Sequence, residues 1–288
     1  MPGRDIPDED LVFYAYRHAD MTRRRQVLRE TLAQFEARGR DALLAMARAN
    51  VRRWREARTH PQPASMELRV LPGDWGDVTQ RLTEEWGELF AVLNMANAFV
   101  PGGGYVEGMV AQEENLFRRS DCHYAVLDSD FAPGSRERYR QEKVDLVSGI
   151  HGRVYLDTQR PRVCLRGPED RSREDLGYEW LADDELFPFY ELRAAAVDLR
   201  DGSPFDREAM RQRVDAQLDT LVEAGLRHAV LSAFGCGAFL NPAMEVAELY
   251  REALEARRPH FTCVAFAIFH AGYGPDNYTP FARVLMKP

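Results

Sequence analysis

A chain of 288 residues, 45% hydrophobic and 29% charged, can bury a substantial core, and its 20 Gly and 16 Pro are too few for a low-complexity or collagen-like chain. Net charge is −8, although residues 1–65 hold 13 arginines against 9 acids, so the remainder is markedly acidic, which argues against broad or sequence-specific nucleic-acid binding. The four cysteines (Cys122, Cys164, Cys236, Cys263) form no C-x-x-C pair, excluding a zinc knuckle or redox dithiol, and no apolar run approaches membrane-span length. The expectation is a soluble, cytoplasmic protein with no membrane partner; its oligomeric state is not legible.

In chain order, Asp20 is placed to cap a helix carrying Leu28, Leu32 and Phe35 on one face and stopped by Gly39. Asp41 then caps a second helix with Leu44, Ala47, Val51 and Trp54. Arg23, Arg24 and Arg25 read as a solvated helix face. The polar, Pro-bearing stretch Thr59–Ser65 marks a boundary, giving an N-terminal helical segment over 1–65 packed on a domain over 66–288. From Met66 onward, short apolar runs (MELRVL, LFAVLN, RVCLR, ELRAAAVDL, HAVLSA, FTCVAFAIF) alternate with helical patterns that start near Val78, span Glu208–Glu223 and span Pro242–Arg257. This alternation predicts a layered α/β domain with a largely parallel sheet.

The densest chemistry lies in Ala96–Ser120, ANAFVPGGGYVEGMVAQEENLFRRS, directly after the strand LFAVLN. In open α/β sheets, ligands bind beyond the carboxyl ends of strands. Gly102, Gly103 and Gly104 lack a Cβ, so consecutive amides can point outward and let an anion such as a diphosphate approach; as a motif of its own, the run is equally a turn. Gln112, Glu113 and Glu114 open the next helix. Two acids there suit the helix dipole, and neighbouring helical positions about 100° apart predict diverging carboxyls, one for proton work and one for holding substrate. A second loop, Gly235-Cys236-Gly237-Ala238-Phe239, follows HAVLSA and precedes the helix at Pro242, where it can clamp the same diphosphate or simply connect strand to helix. Phe239 presses on a sugar or fills core; Tyr273 covers an adenine or is an ordinary loop aromatic; His123, His270 and Cys236 read as structural.

The spacing GGG-x7-QEE resembles the signature of poly(ADP-ribose) glycohydrolases, and Asn94–Glu114 with GCGAF at 235–239 is similar to their microbial type, from about Val27 to the last strand. The resemblance implies a three-layer α/β/α macrodomain with a mixed, largely parallel sheet. It implies Glu114 as general acid, Glu113 orienting ribose hydroxyls, and Asn97 at the reacting ribose. Gly102, Gly103, Gly104, Gly235, Cys236, Gly237 and Ala238 then lie on the phosphates, with Gln112 lining the site and Phe239 on the terminal ribose; Tyr273 is a site candidate by its place after the last strand alone. ADP-ribose, free or on a macromolecule, is the implied substrate, and neither metal nor cofactor is required. Two departures stand out: Leu240 occupies a position where the family pattern has glycine, and LFRRSDCHY after the signature is unfamiliar. A non-catalytic ADP-ribose reader, or a glycohydrolase for mono-ADP-ribosyl linkages, remains the alternative.

Overall fold

The computed structural model describes residues 3–6, 18–58, 63–270, 272 and 274–286. Helix α1 (His18–Arg38) starts two residues before Asp20, which lies in its first turn. Gly39, at φ 81°, is itself the N-cap of α2 (Arg40–Ala57), so the capping role expected of Asp41 falls to a glycine. The buried stripe of α2 is Leu43, Ala47, Asn50 and Val51, and Asn50 Nδ2 donates to the carbonyls of Asp183 (2.8 Å) and Leu186 (2.9 Å), bolting the helix to the body.

The chain continues through β1 (Glu67–Pro72), α3 (Trp75–Trp86), β2 (Ala91–Met95), α4 (Gln112–Arg119), α5 (Gln141–Val147), β3 (Tyr155–Leu156) and β4 (Arg162–Cys164). It then forms β5 (Phe187–Ala194), α6 (Arg207–Glu223), β6 (His228–Leu231), α7 (Ala243–Arg257), β7 (Cys263–Ile268) and α8 (Tyr278–Leu285). Helix α3 starts ahead of Val78 because the Asp74 side chain caps it, accepting from the amides of Gly76 and Asp77. The sheet order is β1-β7-β6-β2-β5-β3 with β4 also on β5; pairings among β1, β7, β6, β2 and β5 are parallel, and those of β3 and β4 antiparallel.

Side-chain alternation along the strands divides the core into two layers. Leu93, Leu192, Val264 and Phe266 face α6, α7 and α8 through Val214, Leu218, Leu249 and Phe281. Val92, Phe189 and Ala265 face α3 and α4 through Trp75, Val78, Leu82, Leu116 and Phe117, giving helices on both faces of the sheet. The expected three-layer α/β/α architecture is thus the observed one. The N-terminal pair joins this body: Leu28 sits in the α3–α4 layer, and Phe35, Leu43 and Ala47 pack with Val163, Leu165 and Leu186.

One expectation reverses. Arg24 and Arg25 are buried, not solvated, because α1 lies across α4 and the segment 166–178; Arg24 pairs with Glu169 at 2.8 Å. No helix among the described residues is long and apolar enough to cross a membrane.

Candidate active site

The site grows from the carboxyl end of β2. Gln112, the first residue of α4, turns its side-chain amide back onto that strand: Nε2 donates to the Leu93 carbonyl (2.7 Å) and Oε1 accepts from the Met95 amide (2.9 Å). Gln112, expected to line the site, thereby registers the helix on the sheet. Asn97, expected at the ribose, uses Oδ1 to accept from the amides of Phe99 (2.9 Å) and Val100 (3.0 Å), forming the turn that launches the glycine loop.

That loop is a run of tight turns whose amides face inward. Gly103 N donates to the Val100 carbonyl (3.0 Å), Tyr105 N to Gly102 (3.2 Å), and Gly104 N to Glu114 Oε1 (3.0 Å). The outward-facing amides expected at Gly103 and Gly104 are thereby corrected: the loop wraps a carboxylate of its own chain. Gly103, at φ 57°, explains the requirement for glycine, since a Cβ there would collide with Glu114 Oε1 and stand 3.3 Å from Glu113 Oε2. Gly102 is packed just as closely, its Cβ position lying 2.5 Å from the Tyr105 ring, and that of Gly104 abuts Met109.

The two carboxyls therefore converge on Gly103 rather than diverge; their flexible side chains undo the 100° separation of their backbones. Glu113 Oε2 accepts from the Asn97 amide at 2.7 Å. Glu113 Oε1 and Glu114 Oε2 are buried and accept no hydrogen bond from the described residues. Burial pushes the Glu113 carboxyl well up from its usual range, and the neighbouring Glu114 charge pushes it further. Burial likewise raises Glu114, against the opposing pull of the Gly104 amide and the Arg118 guanidinium. Because the folded-state pKa of Glu113 exceeds its unfolded value, folded protein binds the extra proton and stability declines as pH rises through that interval. Glu113→Gln is thus expected to gain stability relative to wild type as pH increases from about 4.5 toward neutrality, read as the difference between urea-denaturation free energies at each pH.

The second loop leaves β6, the neighbour of β2 in the sheet. Asn241 Nδ2 donates to the carbonyls of Val197 (2.8 Å) and Gly235 (3.0 Å), joining the exits of β5 and β6. Cys236 is buried with its thiol pushed up by desolvation, matching the packed reading, whereas Gly237 and Ala238 are exposed. Phe239 is half-buried: it rests on the α6–α7 core layer beneath the Arg200 guanidinium, 5.2 Å from the ring centroid. Leu240, where glycine was expected, stands at φ 60° and 59% exposed, a left-handed conformation costing an L-residue about 1–2 kcal/mol. Leu240→Gly should stabilise the protein by about 0.5–1 kcal/mol, the strain relief less the added backbone entropy of glycine, measurable by denaturant titration. Tyr273 lies outside the described residues.

Several contributors escaped sequence reading. Arg118, fully buried on α4, donates to the Met109 carbonyl (2.8 Å) and the Tyr178 hydroxyl (3.0 Å). Beneath Glu113, Glu191 on β5 is held by Arg193 and Arg162, and Arg193 donates to the Tyr139 hydroxyl at 2.8 Å. Glu191 and Arg193 stand two residues apart on β5, but Arg162, Tyr139 and Tyr178 join the cluster from distant parts of the chain, so no local pattern announces it.

Residues 25–149, which carry both carboxylates and the glycine loop, match the family model of the microbial-type PARG catalytic domain. The site segment is PARG-like. Among solved structures, poly(ADP-ribose) glycohydrolase (PARG) from Thermomonospora curvata is similar at 23% identity and TM-score 0.62, covering 90% of this chain and 98% of that one. The same enzyme bound to the inhibitor ADP-HPD matches at 22% identity and TM-score 0.57 with the same coverage. PARG from Deinococcus radiodurans in complex with ADP-ribose matches at 23% identity and TM-score 0.53, covering 85% of this chain and 92% of that one. These likenesses establish a PARG fold across most of the chain. A comparison with curated proteins gives no match.

Proposed function

We propose that the protein is a poly(ADP-ribose) glycohydrolase that cleaves the ribose–ribose O-glycosidic bond and releases ADP-ribose. The observation that carries this reading is the pair of buried carboxylates on α4, converging on Gly103 and each keeping one oxygen without a partner among the described residues, inside the PARG-like segment. Glu114, raised by burial, is protonated at a pH where an exposed carboxylate is not, and delivers its proton to the leaving ribose oxygen. The Gly104 amide fixes Oε1, leaving Oε2 as the atom that meets substrate. Glu113, anchored through Oε2 by the Asn97 amide, orients ribose hydroxyls with Oε1. An oxocarbenium-like centre then forms beside the substrate diphosphate, and water completes hydrolysis. Gly237, Ala238 and Phe239, at the exit of the adjacent β6, bound the diphosphate and terminal ribose from the other side.

Four buried free cysteines support a reducing, cytoplasmic setting. The test is release of ADP-ribose from a panel comprising polymer, mono-ADP-ribosylated protein and mono-ADP-ribosylated nucleic acid. Hydrolysis of polymer supports the proposal; release from a mono-ADP-ribosyl linkage alone moves the substrate, and tight ADP-ribose binding without release makes the protein a reader.

A further inference from the structure

The segment 3–6 runs against the glycine loop, and Arg4, 8% exposed, is inserted in it. Its Nη1 donates to the Gly103 carbonyl, its Nη2 meets Glu107 Oε1 at 2.6 Å, and its backbone amide donates to the Tyr105 hydroxyl at 3.0 Å. That hydroxyl also bonds His123 Nδ1 at 2.9 Å, and the Gly3 amide donates to the Val126 carbonyl at 2.7 Å. One guanidinium thus grips the peptide that cradles Glu114 and neutralises the acid on the far side of the same loop. The Cβ position of Gly104 lies 3.6 Å from Glu107 Oε2, a buried oxygen with no partner among the described residues.

We propose that Arg4 is a positioning residue for the hydrolytic acid: by clamping the Gly103 carbonyl and balancing Glu107, it sets both the placement of Glu114 and the pH at which Glu114 gives up its proton. This inference rests on the reading of Glu114 as general acid. The charges facing Glu114 are Glu113 and Arg118 from α4 and Glu107 from the loop. Arg118 in turn faces Glu169, shared with Arg24 of α1, while Arg193 and Glu191 of β5 face Glu113 and His123 stands behind Tyr105. Of these, Glu107 is the acid whose charge Arg4 neutralises directly. Remove the Arg4 charge and Glu107 acts on Glu114 uncompensated, favouring its protonated form.

The experiment combines the pH dependence of turnover with NMR titration of the Glu114 carboxyl in isotopically labelled protein. Arg4→Gln keeps a donor for the Gly103 carbonyl but no charge; the Glu114 titration and the alkaline limb of kcat should both move to higher pH with KM unchanged. Adding Glu107→Gln to it should return both to their wild-type positions. Arg4→Lys keeps the charge and should leave the limb in place. Arg4→Ala loses clamp and charge together, and turnover should fall about 10- to 10²-fold through misplacement of the acid; should it not fold, the Gln and Lys variants decide. An unmoved Glu114 titration in Arg4→Gln overturns the proposal whatever the activity. If instead Glu114→Gln turns over like wild type, the acid assignment fails, while the titration still reports whether Arg4 acts on Glu114.

Discussion

Glu114→Gln is expected to bind ADP-ribose with near wild-type affinity and to hydrolyse polymer about 10²–10⁴-fold more slowly, the usual worth of a general acid. Glutamine keeps the oxygen that accepts from the Gly104 amide, so the loop should remain wrapped around it; what disappears is the transferable proton. In wild type the same chemistry predicts a single-sided pH profile. Turnover holds while Glu114 is protonated and declines as pH rises through a pKa lifted above the ordinary carboxylate range by burial. Single-turnover hydrolysis across pH, alongside calorimetric ADP-ribose binding, measures both. Wild-type turnover by Glu114→Gln would place the acid elsewhere.

The second large effect concerns stability. Glu191 is fully buried and accepts from Arg193 Nε and Nη2, from Arg162 Nε and from Asn94 Nδ2. The two guanidinium groups hold its carboxyl down at about 2, so it is charged throughout the neutral range. Glu191→Ala strands Arg193 and Arg162 in the core without their counter-charge and should cost about 3–5 kcal/mol, the usual penalty for breaking a buried ion pair from one side. Urea denaturation at neutral pH reads that loss. The contribution depends on acid in the opposite sense to that of Glu113. It is intact above the unfolded carboxylate pKa and is lost as pH falls toward 2, so the stability of Glu191→Ala should approach that of wild type in strong acid.

Strand and helix alternation was readable because most strands carry their own apolar run; the two-residue β3 carries none and, with helices α5 and α8, went unread. β5 begins at Phe187, earlier than ELRAAAVDL suggests, and the obstacle is Pro188, which reads as a strand breaker. It is tolerated because it lies ahead of Tyr190, where pairing with β2 reaches, and opposite Val163 of the short β4. In the site, the glycines and acids were legible as types at a spacing, but their partners were not. That the Gly104 amide serves Glu114 follows from the way the loop closes, and Arg4 meets Gly103 at a separation of 99 positions. Arg24 read as solvated because its partner Glu169 stands 145 residues away. Charge patterns reveal neighbours along a helix, not neighbours made by folding.

The Gln112 amide bonded to Leu93 and Met95 has a mechanical consequence. A primary amide that donates to one strand peptide and accepts from another imitates an extra residue of backbone at the end of β2, so the start of α4 behaves as an extension of the sheet. Glu113 and Glu114 follow immediately in sequence and inherit that stiffness: neither can swing aside by a rigid motion of the helix without first unzipping the strand end. The carboxylates are a fixed anvil, and whatever meets them has to be brought there by movement of the surrounding chain or of the incoming molecule itself.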